Sequence, residues 1–272
     1  MSAVHIEPVA AAWLALGLRD NTHLARCGLY VLPHARRAGL GTALLDLVES
    51  ESRAAGRSVL TGAVVWPYAL GAAGAGAPGA EFGRRRGFEL ALAEVRRRLR
   101  LPVALPPLPV EAAGYDVRAF AGPIPDDIVA GWAVLDAELE TAAPTGELDV
   151  EPRQAAVEQV REVEALVASQ GRLLVNAVAL TPGGEVAAYT QMAVPAGEDV
   201  AYQWGTMVAA PHRGHRLDLA TKIAALDLLQ RERPDVATVS TYNAEVNRHM
   251  IAINEELGFE PIERMGQLQK RL

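Results

Sequence analysis

The chain has 272 residues, of which 26 are lysine or arginine and 33 aspartate or glutamate, for a formal charge of -7. Half the residues are apolar, enough for one large core or two modest ones, and the negative balance excludes a general nucleic-acid binder, whose phosphate affinity needs basic residues in net excess. Cys27 is the single cysteine, so no internal disulfide forms and a reducing cytoplasm is the expected compartment. The absence of a leader pattern and of eighteen consecutive uncharged apolar residues argues against a membrane.

Residues 9–18 (VAAAWLALGL) and Thr22–Leu32 read as two strands joined by the turn residues Arg19-Asp20-Asn21, a hairpin in which Cys27 is a packed thiol. From Tyr30 to Val48 (YVLPHARRAGLGTALLDLV) an apolar strand end passes through a basic turn into a helix. Leu40, Ala43, Leu44, Leu47 and Val48 share one face of that helix. Its free N-terminal N–H groups, the dipole and nearby Arg36 and Arg37 suit a phosphate or pyrophosphate, and Gly39 and Gly41 allow close backbone approach. The spacing is neither a P-loop nor the dinucleotide fingerprint. The helix should close near Gly56, and Ser58–Trp66 is a buried parallel strand reached by a right-handed crossover. Residues 71–79 (GAAGAGAPG) form a glycine-rich loop, and Gly87-Phe88 leads into a charged strand, Glu89–Leu101.

Pro102, Pro106, Pro107 and Pro109 exclude a regular helix after Leu101, which sets the domains at 1–101, a linker at 102–113, and 114–272. Tyr115–Phe120 reads as a strand. Pro125-Asp126-Asp127 starts a helix with Ile128, Trp132, Leu135 and Leu139 on one face, and Glu151-Pro152 starts another with Val157, Val160, Val163 and Val167 facing inward. Leu173–Leu180 and Glu185–Val194 make a hairpin around Pro182-Gly183-Gly184, followed by a strand at Val200–Val208. A second basic turn, Arg213-Gly214-His215-Arg216-Leu217-Asp218, opens a helix running to about Gln230. Val236–Thr241 is the next strand. Asn243 is placed to cap a last helix whose core residues are Val246, Met250, Ile253 and Leu257, ended by Gly258-Phe259.

Strand, Arg36-Arg37-Ala38-Gly39-Leu40-Gly41 turn, helix, strand and a later Gly-Phe resemble the Gcn5-related N-acetyltransferase (GNAT) family, and the same order recurs in the second half. The resemblance implies an α/β protein of two tandem units, mixed sheets flanked by helices, the first shortened. It implies acetyl-CoA as co-substrate, no metal, and direct acetyl transfer to the amine of a small molecule or peptide. Coenzyme contacts are then expected from Val31, Arg36, Arg37, Ala38, Gly39, Leu40, Gly41 and Thr42, and from Val208, Arg213, Gly214, His215, Arg216, Leu217, Asn243 and Asn247.

Departures from the pattern matter. Only 35 residues precede Arg36, so the first half lacks an opening strand and two helices; a misassigned start, a partner that completes the sheet, or genuine reduction would each explain it. Ala25 and Gly83 stand where a base and an acid are expected. In the second loop Arg216 and Asp218 replace small residues, and a carboxylate there opposes a phosphate unless the helix turns it to solvent. Tyr202 holds the base position, but an ordinary tyrosine pKa of about 10 makes it a positioning group. Asn254 holds the thiol-acid position and can only hydrogen-bond a thiolate. These departures keep open a non-catalytic acyl-CoA-binding or regulatory protein, and a homodimer formed through an exposed sheet edge.

Overall fold

The computed structural model describes residues 8–272. The chain divides into two compact units that interleave along the sequence. The first takes residues up to Ala93, Thr145–Glu151 and Arg264–Leu272; the second takes Glu94–Pro144 and Pro152–Glu263.

In the first unit, β1 (Ala10–Leu16) and β2 (Leu24–Val31) form the expected antiparallel hairpin, with Ala10 opposite Val31 and Leu16 opposite Ala25. Helix α1 (Leu40–Ala54) then crosses to β3 (Val59–Pro67), which pairs parallel with β2. Helix α2 (Pro78–Arg85) precedes Phe88 and β4 (Glu89–Arg100). The strand order is β1-β2-β3-β10, so the strand beside β3 is the last one of the chain, β10 (Glu260–Arg271). The Leu272 N–H donates to the Ser58 carbonyl at 2.9 Å. The core is built from Ala25, Cys27, Leu45, Val48, Leu60, Phe88 and Leu268. Cys27 is buried within it, and burial pushes its thiol up to about 11, which makes it a packing group.

In the second unit the order is β4-β9-β8-β7-β6-β5, using β5 (Asp116–Ala121), β6 (Leu173–Leu180), β7 (Val186–Val194), β8 (Val200–Val208) and β9 (Thr238–Ala244). The sheet is mixed: β8 and β9 run parallel, and the other documented pairs, including β4 with β9, are antiparallel. Alternate residues of β6 and β7 send side chains to opposite faces. On one face Val175, Ala177, Met192 and Val194 pack against α5 (Leu217–Glu232) and α6 (Arg248–Glu256). On the other, Val178, Leu180 and Tyr189 pack against α3 (Val129–Ala142) and α4 (Val157–Ser169), with Trp132 stacked 4.2 Å from Tyr189.

Four local expectations change. The buried face of α1 runs through Leu45, Val48 and Ser52, and Leu47, expected on it, is 57% exposed. Helix α4 starts at Val157 rather than at Glu151-Pro152, because the preceding segment is held in the first unit. The Glu151 N–H donates to Asn21 Oδ1 at 2.6 Å, and His23 Nε2 lies 3.0 Å from the Asp149 carbonyl. Val163 is 45% exposed, since the packed stripe of α4 runs through Val160, Glu164 and Val167. Helix α6 is capped by Asn247, whose Oδ1 accepts the Met250 N–H at 3.2 Å; Asn243 stays in β9, and Val246, outside the helix, is 70% exposed. Among the described residues no helix is long and apolar enough to cross a membrane.

The exchange of the last strand generates a prediction. Leu268→Ala should cost about 2–5 kcal/mol, and hydrogen exchange should show the loss in α1 and β2, more than 200 residues away in sequence, while β6 and β7 keep their protection. Loosening confined to residues near 268 would contradict the assignment of this strand to the first core.

Candidate functional site

In the second unit, β8 and β9 pair only from Val200–Tyr202 against Thr238–Ser240. Beyond those residues the strands part, and a cavity of about 750 Å³ opens between them, lined among others by Thr206, Val208, Tyr242 and Asn243. The Ala209 N–H donates to Ala187 of β7 at 2.9 Å. Strand alternation therefore aims the backbone N–H of its neighbour Val208 at the gap.

The α5 N-terminus closes one end. Arg213, Gly214, Arg216 and Leu217 line the cavity, and the turn needs two left-handed residues, Gly214 (φ 88°) and Arg216 (φ 50°). The first unit repeats the backbone with the residue types exchanged: Arg37 (φ 67°) takes the first position and Gly39 (φ 83°) the second. Arg216 in place of glycine thus follows the same path at a backbone cost on the order of 1 kcal/mol. Its guanidinium pairs with Glu256 of α6. His215 lies 3.3 Å from the Glu111 carbonyl and His212 3.0 Å from the Tyr115 hydroxyl. Among the described residues no group of histidine, cysteine or carboxylate side chains is arranged to hold a metal.

Asp218 is not turned to solvent. It is 7% exposed, its Oδ1 accepts the Leu219 N–H at 2.8 Å and its Oδ2 lies 2.5 Å from His249 Nε2. One turn further, Lys222 is 1% exposed, and its Nζ donates to Asn254 Oδ1 at 3.0 Å. Asn254 Nδ2 in turn donates to Asn243 Oδ1 at 2.6 Å. Burial drives the Lys222 amine down to about 8, and the nearby Asp218 charge opposes that shift. Of these groups Asp218, Lys222, Asn243 and His249 line the cavity, whereas Asn254 sits behind them. Sequence reasoning missed Lys222. The signal was available: α5 carries apolar residues around its whole circumference, so its lysine is buried with them.

Tyr202 is half-buried on β8 and does not reach the cavity wall, which is formed instead by Gln203, Trp204 and Thr206. In the first unit β2 and β3 also part, after Cys27 and Gly62. Arg36 Nε donates to the Val31 carbonyl at 3.0 Å and fixes the turn that leads through Ala38 into Leu40, Gly41 and Thr42. No acidic residue lies in the first turn of α1, whereas α5 has Asp218 there. A cavity of about 720 Å³ lies against β1 to β3, lined by Trp13, Arg26 and Thr61 but by none of the turn residues. Of the second set of expected coenzyme contacts all but His215 line one cavity, whereas none of the first set lines the first-unit cavity.

Residues 4–65 match the model of the acetyltransferase (GNAT) family. A tandem GNAT protein from the clavulanic acid biosynthesis pathway superimposes with a TM-score of 0.75 at 29% identity, covering 98% of this chain and 84% of that one. The chain is thus similar to a tandem GNAT protein over nearly its whole length. GNAT-fold proteins from Sphaerobacter thermophilus (17% identity, TM-score 0.66, 97% and 76% coverage) and Kribbella flavida (15%, 0.59, 97% and 88%) share the fold. No curated protein matches the chain. The family match and the likeness to a tandem GNAT protein support acyl-CoA-dependent acetyl transfer as the general chemistry.

Lys222 gives a pH dependence with a definite sign. Below about pH 8 the lysine is charged in both states and the fold bears the full burial cost. Between about 8 and the ordinary 10.5 the unfolded chain binds the extra proton, so stability rises with pH. Relative to Lys222→Met, the wild type should gain up to about 3 kcal/mol over that range. Urea unfolding of both proteins near pH 8 and near pH 10 measures it; a constant difference would show that Lys222 keeps an ordinary affinity for its proton.

Proposed function

We propose that this protein transfers an acetyl group from acetyl-CoA to an amine, in the cavity of the second unit. The observation that carries this reading is the parting of β8 and β9 beside the α5 N-terminus, which leaves the Val208 N–H directed at the space where a thioester would lie. Acetyl-CoA, when bound, supplies the activated acetyl group. The N–H groups of the Gly214–Leu217 turn, at the positive end of the α5 dipole, hold its pyrophosphate, and Gly214, whose Cα faces open space, lets the phosphates approach.

Val208 donates to the thioester carbonyl oxygen, where negative charge grows as the amine attacks. Asn243 spends its carbonyl oxygen on Asn254 and so presents its amide N–H groups to the pantetheine arm, with Asn247 beside it. Tyr202 and Asn254 act through their neighbours, Tyr202 by shaping β8 at the point where it leaves β9 and Asn254 by anchoring Lys222. The likeness to a tandem GNAT protein supports the two-unit arrangement in which this site is set.

Native mass spectrometry with acetyl-CoA, paired with thiol release over a panel of amines, tests the reading. Wild type should retain acetyl-CoA and acetylate at least one amine. Gly214→Glu, which puts a strained residue and a carboxylate at the phosphate turn, should lower both by about tenfold or more. Retention that Gly214→Glu leaves unchanged would move the coenzyme site elsewhere, and retention without any turnover would favour a non-catalytic acyl-CoA-binding protein.

A further inference from the structure

The first unit packs its helices on one face of its strands. Leu45 and Val48 of α1 and Phe82 of α2 join Cys27, Leu60 and Val64 in the core. Strand alternation sends the intervening residues to the opposite face. Register sets them side by side there: Ala11 opposite Tyr30, Trp13 opposite Gly28, Ala15 opposite Arg26, and Arg26 beside Thr61. The cavity of about 720 Å³ lies on this face, with Trp13, Arg26, Tyr30 and Thr61 in its lining. The Thr145–Glu151 segment adds Leu148 and Val150 to the lining, while Asp149 between them pairs with His23 and Arg271, each at 3.4 Å. That segment is pinned in place: the Asp149 N–H donates to Gln269 Oε1 at 2.8 Å and the Glu151 N–H to Asn21 Oδ1 at 2.6 Å.

Gly28 gives the Trp13 indole its place. A Cβ there would fall 2.3 Å from the indole Nε1 and 2.6 Å from its Cε2, so the ring rests directly on β2. Its outer side stays open: Trp13 is 59% exposed, and Tyr30, on the same face, is 58% exposed. Arg26 is the one charged side chain in the lining, which holds no carboxylate, and among the described residues it makes no hydrogen bond or ion pair. A guanidinium offers a forked pair of donors that matches a carboxylate. Two open rings offer stacking area to a flat apolar body, and the volume suits a small ligand. A phosphate dianion draws instead on helix N-terminal N–H groups, and none of those lines this cavity. Arg26 and Tyr30 stand four residues apart, about 13 Å along the strand, with the indole between them. That spacing fits an anion carried on one or two fused rings.

We propose that the first-unit cavity binds a small aromatic carboxylate, its carboxylate paired with Arg26 and its rings laid against Trp13 and Tyr30. The site is separate from both basic turns, since no residue of either lines it. It makes and breaks no bond, and it stands or falls independently of acetyl transfer in the second unit. A ligand seated there also covers Leu148 and Val150, so its binding further orders the Thr145–Glu151 segment.

Isothermal titration calorimetry with 2-naphthoate, its uncharged isostere 2-naphthamide and the aliphatic octanoate tests the proposal. Wild type should bind one 2-naphthoate per chain, at least about tenfold more tightly than either of the other two. Arg26→Gln should weaken 2-naphthoate about tenfold and leave 2-naphthamide unchanged, and Arg26→Lys should recover part of the loss. Trp13→Ala should also weaken binding about tenfold, whereas Trp13→Phe, which keeps a ring, should stay within about threefold. Hydrogen exchange should slow on binding in β1 and in residues 145–151, and saturating acetyl-CoA should leave the affinity unchanged. No binding at about 1 mM 2-naphthoate, an affinity in Arg26→Gln within about twofold of wild type, equal binding of 2-naphthamide or octanoate, or displacement by acetyl-CoA would each overturn the proposal. None of these outcomes touches the N-acetyltransferase reading, which is decided by retention and turnover of acetyl-CoA.

Discussion

Everything at the candidate site depends on β8 and β9 ceasing to pair after Tyr202 and Ser240. A parallel pair that stays zipped has its backbone donors and acceptors spent on one another, and no ligand can enter between its strands. Here the ladder stops, the N–H of Val208 is left without a strand opposite, and the space is wide enough for a ligand. The parting is accompanied by an irregularity in the β7–β8 ladder. A register shift between Thr190 and Met192 bends β8 away from the regular ladder, and Gln203 satisfies the disturbed backbone by donating to the Gly205 and Gln191 carbonyls and to Thr190 Oγ1.

The buried polar chain of Lys222, Asn254 and Asn243 is the second constraint. A lysine with almost no exposure costs free energy unless its ammonium is well satisfied, and one neutral acceptor with a carboxylate nearby is modest compensation. Its rigidity has a use, because Asn243 is oriented by the chain and points its remaining amide hydrogens in a set direction. The arrangement trades stability for a fixed wall, as sites commonly do.

Elements with strong local signals were legible in the sequence. Hydrophobic spacing placed α1, α5 and the β6–β7 hairpin, and turn chemistry placed the two basic loops, because these depend on residues near one another in the chain. What escaped depends on distant partners. Nothing in Glu151-Pro152 reveals that Asn21 will hold that segment extended, and Asn243 and Asn247 are equally good caps until β9 takes the first. Asp218 read as a carboxylate that would oppose a phosphate or turn to solvent, because the His249 that pairs with it approaches from another helix.

The interleaving of the units bears on how the protein is made. During synthesis β1, β2, α1 and β3 emerge early, but the strand that covers β3 and supplies Leu268 to their core starts only at Glu260, far downstream of Pro67. Until β10 emerges, β3 therefore presents an open strand edge and an unfilled apolar pocket, the conditions that recruit chaperones or invite pairing with a neighbouring chain. Completion of the first unit waits on β10, so a chain interrupted before residue 260 is left with its earlier-made part unfinished.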